Sequence, residues 1–176
     1  MSTIHKLCGI GRIRILIVLA ALFISTLSSS TCAGQTALKI GDALPRISLS
    51  DLDGKQVNLP EDATGKIAII HFWASWCPLC VREMAALESI RTAYAEKGVV
   101  PYSIDSGEPL DAVKAYVSKT KATYAVLLDP TMEITKLCGV NSIPTTFVCD
   151  RNGVIRFKIL GEVSKMGLEK LLSTLL

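Results

Sequence analysis

The run Ile67-Ala68-Ile69-Ile70-His71-Phe72-Trp73 constrains this chain more than any other stretch. It is apolar at consecutive rather than alternate positions. It therefore predicts a strand covered on both faces, in the middle of a sheet with other layers above and below. Directly after it comes Trp76-Cys77-Pro78-Leu79-Cys80. From Cys80 to Glu96 the apolar residues Met84, Leu87, Ile90 and Tyr94 recur at helical spacing, with Gly98 as the stop. A buried strand thus delivers two cysteines to the start of a long helix.

The other elements follow from the same patterns. Ile47–Leu49 and Val57–Leu59 are short alternating runs with a turn at Asp53-Gly54, a β-hairpin signal. Val99–Ile104 predicts a further strand, in which Pro101 cannot donate to a ladder and so implies a bulge or an unpaired edge. Pro109 opens a helix to about Lys119, with Val113, Tyr116 and Val117 on one face. Ala125–Leu128 reads as a strand and Thr131–Leu137 as a short helix. Thr145–Cys149 and Val154–Leu160 are strands joined by Asp150-Arg151-Asn152-Gly153, and Ser164 caps a last helix through Leu175. The order predicts an α/β fold, a mixed sheet with helices on both faces.

His5, Lys6, Arg12 and Arg14 form a basic head, Ile15–Leu27 an apolar run short for a bilayer, and 28–34 a small, polar stretch. This is the order of a secretory signal peptide, expected over residues 1–33 with cleavage after Ala33, ahead of one domain over 34–176. The alternative is an uncleaved anchor over 15–27, the only expected contact with a membrane. Lipidation of Cys32 is disfavoured, because Ser29 and Thr31 stand where such sites carry Leu and then Gly, Ala or Ser. The chain has 19 Lys+Arg against 16 Asp+Glu, net +3, and Lys6, Arg12 and Arg14 supply the whole excess. The rest is balanced and offers no basic face to nucleic acid. The expected location is extracytoplasmic, in the bacterial periplasm. Beyond the leader lie Cys77, Cys80, Cys138 and Cys149, and in an oxidising compartment such thiols are paired or in redox use.

The cysteine pair points to redox chemistry because of where it sits. A helix N-terminus presents free N–H groups and partial positive charge, which stabilise a thiolate, the form that attacks disulfides. Pro78 suits the first turn, where its missing N–H is not needed. Cys77 is expected at the exposed mouth as attacker and Cys80 deeper, as resolver. A zinc site would need about four ligands, and beyond the leader His71 is the sole histidine with no second CxxC. A purely structural disulfide closing so short a loop would restrain the unfolded chain little.

Three segments together resemble the thioredoxin superfamily: Phe72 to Cys80, Arg82-Glu83-Met84, and Ile143-Pro144-Thr145-Thr146-Phe147. The closest likeness is to its exported TlpA/ResA/CcmG-like branch, over roughly residues 38–176. The resemblance implies a thioredoxin-like fold with an N-terminal hairpin and an inserted αβ element. It also implies thiol–disulfide exchange, usually reductive and often serving cytochrome c maturation. No bound cofactor or metal is implied. The implied partners are a protein disulfide substrate and a membrane-embedded thiol donor. Trp76, Pro78 and Leu79 would form the active-site loop. Pro144 matches the family's cis-proline, with Ile143 beside it against the substrate strand. Glu83 matches a partly buried glutamate thought to govern the thiol protons; its plainer alternative is an acid complementing the helix dipole. His71 departs from the family, which has aspartate or asparagine there. It shares a face with Ile69 and Trp73, either handling protons or filling the slot as a neutral imidazole. Ala85 stands where relatives often have a kinking proline.

Cys138 and Cys149 stand where relatives have tyrosine and an aliphatic residue, and are expected as buried free thiols, with a bridge as the alternative. Two other functions compete. A peroxiredoxin-like peroxidase fits the Gly41–Pro45 stretch, but Ile70 replaces the proline of Pro-x-x-x-Thr-x-x-Cys and the threonine is missing too. A copper-binding module would use the CxxC as ligand, without the methionine or histidine cluster soft copper sites add.

Overall fold

The computed structural model describes residues 37–176, so the leader expected over 1–33 lies outside the described residues. The strands are β1 (Ile47–Ser50), β2 (Gln56–Leu59), β3 (Ile67–Trp73), β4 (Val99–Ser106), β5 (Ala125–Asp129), β6 (Thr145–Cys149) and β7 (Ile155–Leu160). The helices are α1 (Pro78–Tyr94), α2 (Leu110–Val117), α3 (Glu133–Leu137) and α4 (Lys165–Leu172). β1 and β2 form an antiparallel hairpin of their own. The main sheet runs β5-β4-β3-β6-β7. β3 is parallel to β4 and antiparallel to β6, so the run apolar on both faces is the central strand, and every one of its residues is buried.

Two apolar layers cover this sheet. On one face Ile69 and Trp73 of β3 pack with Met84, Leu87 and Ile90 of α1, Val113 of α2, and Leu168 and Leu172 of α4. On the other, Ala68, Ile70 and Phe72 meet Phe147, the hairpin residues Ile47, Val57 and Leu59, and Cys138 at the end of α3. Alternate β3 side chains serve the two layers, as pleating requires.

At Pro101 the second of the two expectations holds, an unpaired edge, while the starts of α1 and α3 differ from the sequence reading for identifiable reasons. No bulge forms at Pro101, which pairs in register with Ile69. The β5 ladder begins only at Tyr102, so the proline lies where β4 has no neighbour on that side. α1 begins at Pro78, before Cys80, because Cys77 itself is the cap, with φ −95° and ψ 104°. α3 starts at Glu133 rather than Thr131 because Met132 adopts a left-handed conformation, φ 57°.

Candidate active site

β3 ends at Trp73, and Ala74-Ser75-Trp76 carries the chain over the sheet edge into α1. Cys77 and Cys80 are joined as a disulfide, with Cα atoms 5.3 Å apart. The Cys77 Sγ accepts the backbone N–H of Cys80 at 3.3 Å, so the sulfur serves as helix cap and lies in the positive field of the N-terminus. Cys80 is fully buried and Cys77 is 5% exposed. Trp76 stands 69% exposed beside it, with Leu79 at 41% and Pro78 also exposed. Pro144 follows Ile143 through a cis peptide bond at the start of β6, buried, while Ile143 is half-buried against the layer that holds both cysteines.

Glu83, one turn beyond Cys80 on α1, is fully buried. Its Oε1 accepts the Thr146 hydroxyl at 2.5 Å and its Oε2 the Val163 N–H at 3.4 Å. Burial outweighs those two hydrogen bonds and raises its pKa to about 7. His71 is fully buried too, its Nε2 3.9 Å from Glu83 Oε2. Its Nδ1 lies 3.1 Å from the Ser103 hydroxyl. Desolvation lowers the imidazole to about 3, which keeps it neutral. The structure thus brings Glu83, His71 and Thr146 together under the cysteine helix.

Sequence reasoning passed over a second anchor of the same loop. Glu108, just beyond β4, accepts the Ser75 N–H at 2.5 Å and the Ser75 hydroxyl at 2.6 Å. Its own N–H donates to Asp105 Oδ2 at 2.9 Å. Burial tends to raise the Glu108 pKa, but the Ser75 bonds outweigh it and leave the group below its usual range. Asp105 is fully buried, with Oδ1 unpartnered, and desolvation raises it to about 7. One available signal was the Asp105-Ser106-Gly107-Glu108-Pro109 turn at the carboxyl end of a parallel strand, where open α/β sheets gather functional groups. Cys138 and Cys149 are buried free thiols, each pushed up to about 12, chiefly by desolvation.

The chain as a whole is similar to known proteins. The AhpC/TSA family model matches residues 40–158. The thiol-disulfide oxidoreductase ResA of Bacillus cereus is 34% identical over 161 residues, 92% of each chain. The thioredoxin-like protein YneN of Bacillus subtilis is 33% identical over 138 residues, 77% of this chain and 80% of that one. Among solved structures, a candidate thiol:disulfide interchange protein DsbE from Chlorobium tepidum superposes with a TM-score of 0.74 at 29% identity, covering 79% of this chain and 99% of that one. With a cysteine pair capping α1, a thioredoxin-like sheet beneath it and relatives of this kind along nearly its whole length, the chain belongs to the AhpC/TSA family, among its ResA-type thiol–disulfide oxidoreductases.

Proposed function

We propose that this oxidoreductase reduces protein disulfides outside the cytoplasm, Cys77 attacking and Cys80 resolving. The observation that carries the assignment is the asymmetry of the pair: Cys77 caps the helix next to the exposed Trp76 and, though more buried than the expected exposed mouth, keeps 5% exposure, whereas Cys80 has none. The Cys77 thiolate attacks one sulfur of the substrate disulfide, forming a mixed disulfide and expelling a thiolate that takes a proton from water. Cys80 then loses its proton to the Glu83 carboxylate and attacks Cys77 Sγ. The second substrate sulfur leaves as a thiolate that takes a proton from water, and the enzyme holds the Cys77–Cys80 disulfide. Two electrons pass to the substrate, and the closed pair is the product state.

The exposed Trp76 and Leu79 offer an apolar platform for the substrate, with Ile143 and Pro144 opposite as the strand-binding edge. Glu83 is the stronger proton-handling group, and neutral His71 positions it. The basic, apolar and small segments of residues 1–33 support export to the periplasm, with cleavage after Ala33. The enzyme's proposed substrates are the cysteines of cytochrome c and its proposed donor is a membrane-embedded thiol protein, a reading that the likeness to a ResA thiol-disulfide oxidoreductase supports.

The test is trapping. Cys80→Ser should accumulate mixed disulfides with substrates, and Cys77→Ser should accumulate none and exchange nothing; the opposite pattern reverses the roles. Equilibration with glutathione should give a potential nearer about −270 mV than about −120 mV. A value at the oxidising end removes the reductase reading.

A further inference from the structure

A buried carboxyl that titrates must exchange its proton with water by some route. Glu83 is fully buried and, among the described residues, its polar partners are three. The Thr146 hydroxyl ends on Glu83, and the Val163 amide N–H cannot be passed on. His71 alone leads further. Its Nε2 has no hydrogen-bond partner and faces Glu83 Oε2, while its Nδ1 meets Ser103 Oγ at 3.1 Å. Ser103 Oγ in turn lies 3.3 Å from the Tyr124 hydroxyl.

These groups form a row across the sheet. Thr146, His71 and Ser103 are register partners on β6, β3 and β4, and Tyr124 directly precedes β5. The row lies within the otherwise apolar layer under α1 and α2, where an unneeded polar group is a net loss. It ends near the surface. Tyr124 is 8% exposed and belongs to the wall of a depression of about 400 Å³ shared with Asp51, Asp53 and Thr123.

We propose that His71, Ser103 and Tyr124 form a proton relay linking Glu83 to solvent on the side of the molecule away from the substrate mouth. The proposal rests on the proton-handling reading of Glu83 and extends it. Each member has two hydrogen-bonding states. With Glu83 protonated, His71 Nδ1–H donates to Ser103, Ser103 to Tyr124, and Tyr124 outward, leaving Nε2 open to accept. When Glu83 gives its proton to Nε2, Nδ1–H passes to Ser103, the Ser103 proton to Tyr124, and the Tyr124 proton to water. Glu83 ends ionised, one proton has left, and His71, Ser103 and Tyr124 are each neutral again. The 3.9 Å gap between Glu83 and His71 needs a closer approach or one bridging water. Transfer along the chain fits an imidazole kept neutral at rest by desolvation. The charges facing the row are Glu162 beyond β7, paired with Arg82, and Glu88 on α1, held by Arg91 and Thr123.

The relay thus assigns Ser103 and Tyr124 a role in resetting Glu83 while substrate still covers the Cys77 mouth. The experiment is a pH jump on the full-length oxidised chain, following the infrared carbonyl band of protonated Glu83, identified by its absence in Glu83→Gln. Ser103→Ala and Tyr124→Phe should each slow the relaxation of that band at least fivefold, and Ser103→Thr, which restores the hydroxyl, should return it to within twofold of wild type. Slowing below fivefold in either variant, or no rescue by threonine, overturns the relay while leaving Glu83 in its role. If no Glu83 band titrates between pH 5 and 9, the Glu83 reading falls and the relay with it. Circular dichroism of each variant separates a broken relay from a broken fold.

Discussion

Burial raises the pKa of the Glu83 carboxyl and of the Cys138 and Cys149 thiols alike, with opposite consequences near neutral pH. Glu83 is sealed under α1 with two hydrogen bonds, too few to offset its desolvation, so its carboxyl titrates near 7 instead of in the usual carboxylate range. It follows Cys80 by one helical turn, on nearly the same face, the placement that the proposed action on that thiol requires. Replacing Glu83 by Gln keeps the shape and removes the titration. The expected result is a shifted pH profile of thiol alkylation at the reduced pair and turnover lowered by about tenfold or more. His71→Asn should shift the alkylation profile less, since the imidazole is already neutral and sets no charge near the thiols. Superimposable profiles for wild type and Glu83→Gln would reduce Glu83 to a structural acid. Cys138 and Cys149 present the opposite case. Both are buried, with thiols pushed up to about 12, so almost no thiolate exists at neutral pH. Peptide mapping after iodoacetamide treatment of the folded, reduced chain should find Cys77 labelled and Cys138 and Cys149 unlabelled. All should label in denaturant.

The element that matters is the start of α1, held from two sides by bonds of unequal weight. Arg82 forks onto Glu162 at 2.8 and 2.6 Å, but the pair is solvent-exposed and adds little. Glu108 instead grips both the amide and the hydroxyl of Ser75, two residues before Cys77, from a half-buried position backed by Asp105. Glu108→Ala should therefore destabilise the protein by about 1–2 kcal/mol and speed amide exchange at Ser75. Arg82→Ala should leave both nearly unchanged; equal effects would deny the clamp its special place. The two anchors differ in legibility for a physical reason. Cys77, Pro78 and Cys80 are adjacent in sequence, and a helix cap is local, so the pattern carries it. Ser75 and Glu108 are 33 residues apart and meet only because β3 and β4 lie side by side in parallel register. Ser103 and Tyr124 were invisible for the same reason. A serine in an apolar strand and a tyrosine before one mean nothing until the sheet aligns them with His71.

At the scale of the whole molecule, the order of elements was legible because β3 could only be central and the βα alternation fixed the layers around it. The net charge of those layers was not, since it depends on which buried groups keep their protons. Among the described residues three buried groups dominate the pH dependence of stability, and their signs conflict. Glu83 and Asp105 have folded pKa values raised to about 7, from 4.5 and 3.8. Below those ordinary values both states hold the protons. Between them and pH 7 the folded state binds more, so stability falls as pH rises, and above about 7 the loss is complete. His71 is lowered to about 3 from 6.5, so between those values the unfolded state binds the extra proton and stability rises with pH. From pH 5 to 6.5 two protons oppose one, and from 6.5 to 7 the carboxyls act alone. Carboxylates held below their usual range, such as Asp150 and Glu88, lose their contribution only at lower pH and leave this window untouched. The expected outcome is a stability that declines from pH 5 to 8 by on the order of 3 kcal/mol, read from urea unfolding of the oxidised chain. Glu83→Gln should flatten the decline. With Asp105→Asn added, His71 acts without opposition and the slope between pH 5 and 6.5 should turn positive. A decline of unchanged steepness in the double variant would place the retained protons elsewhere in the fold.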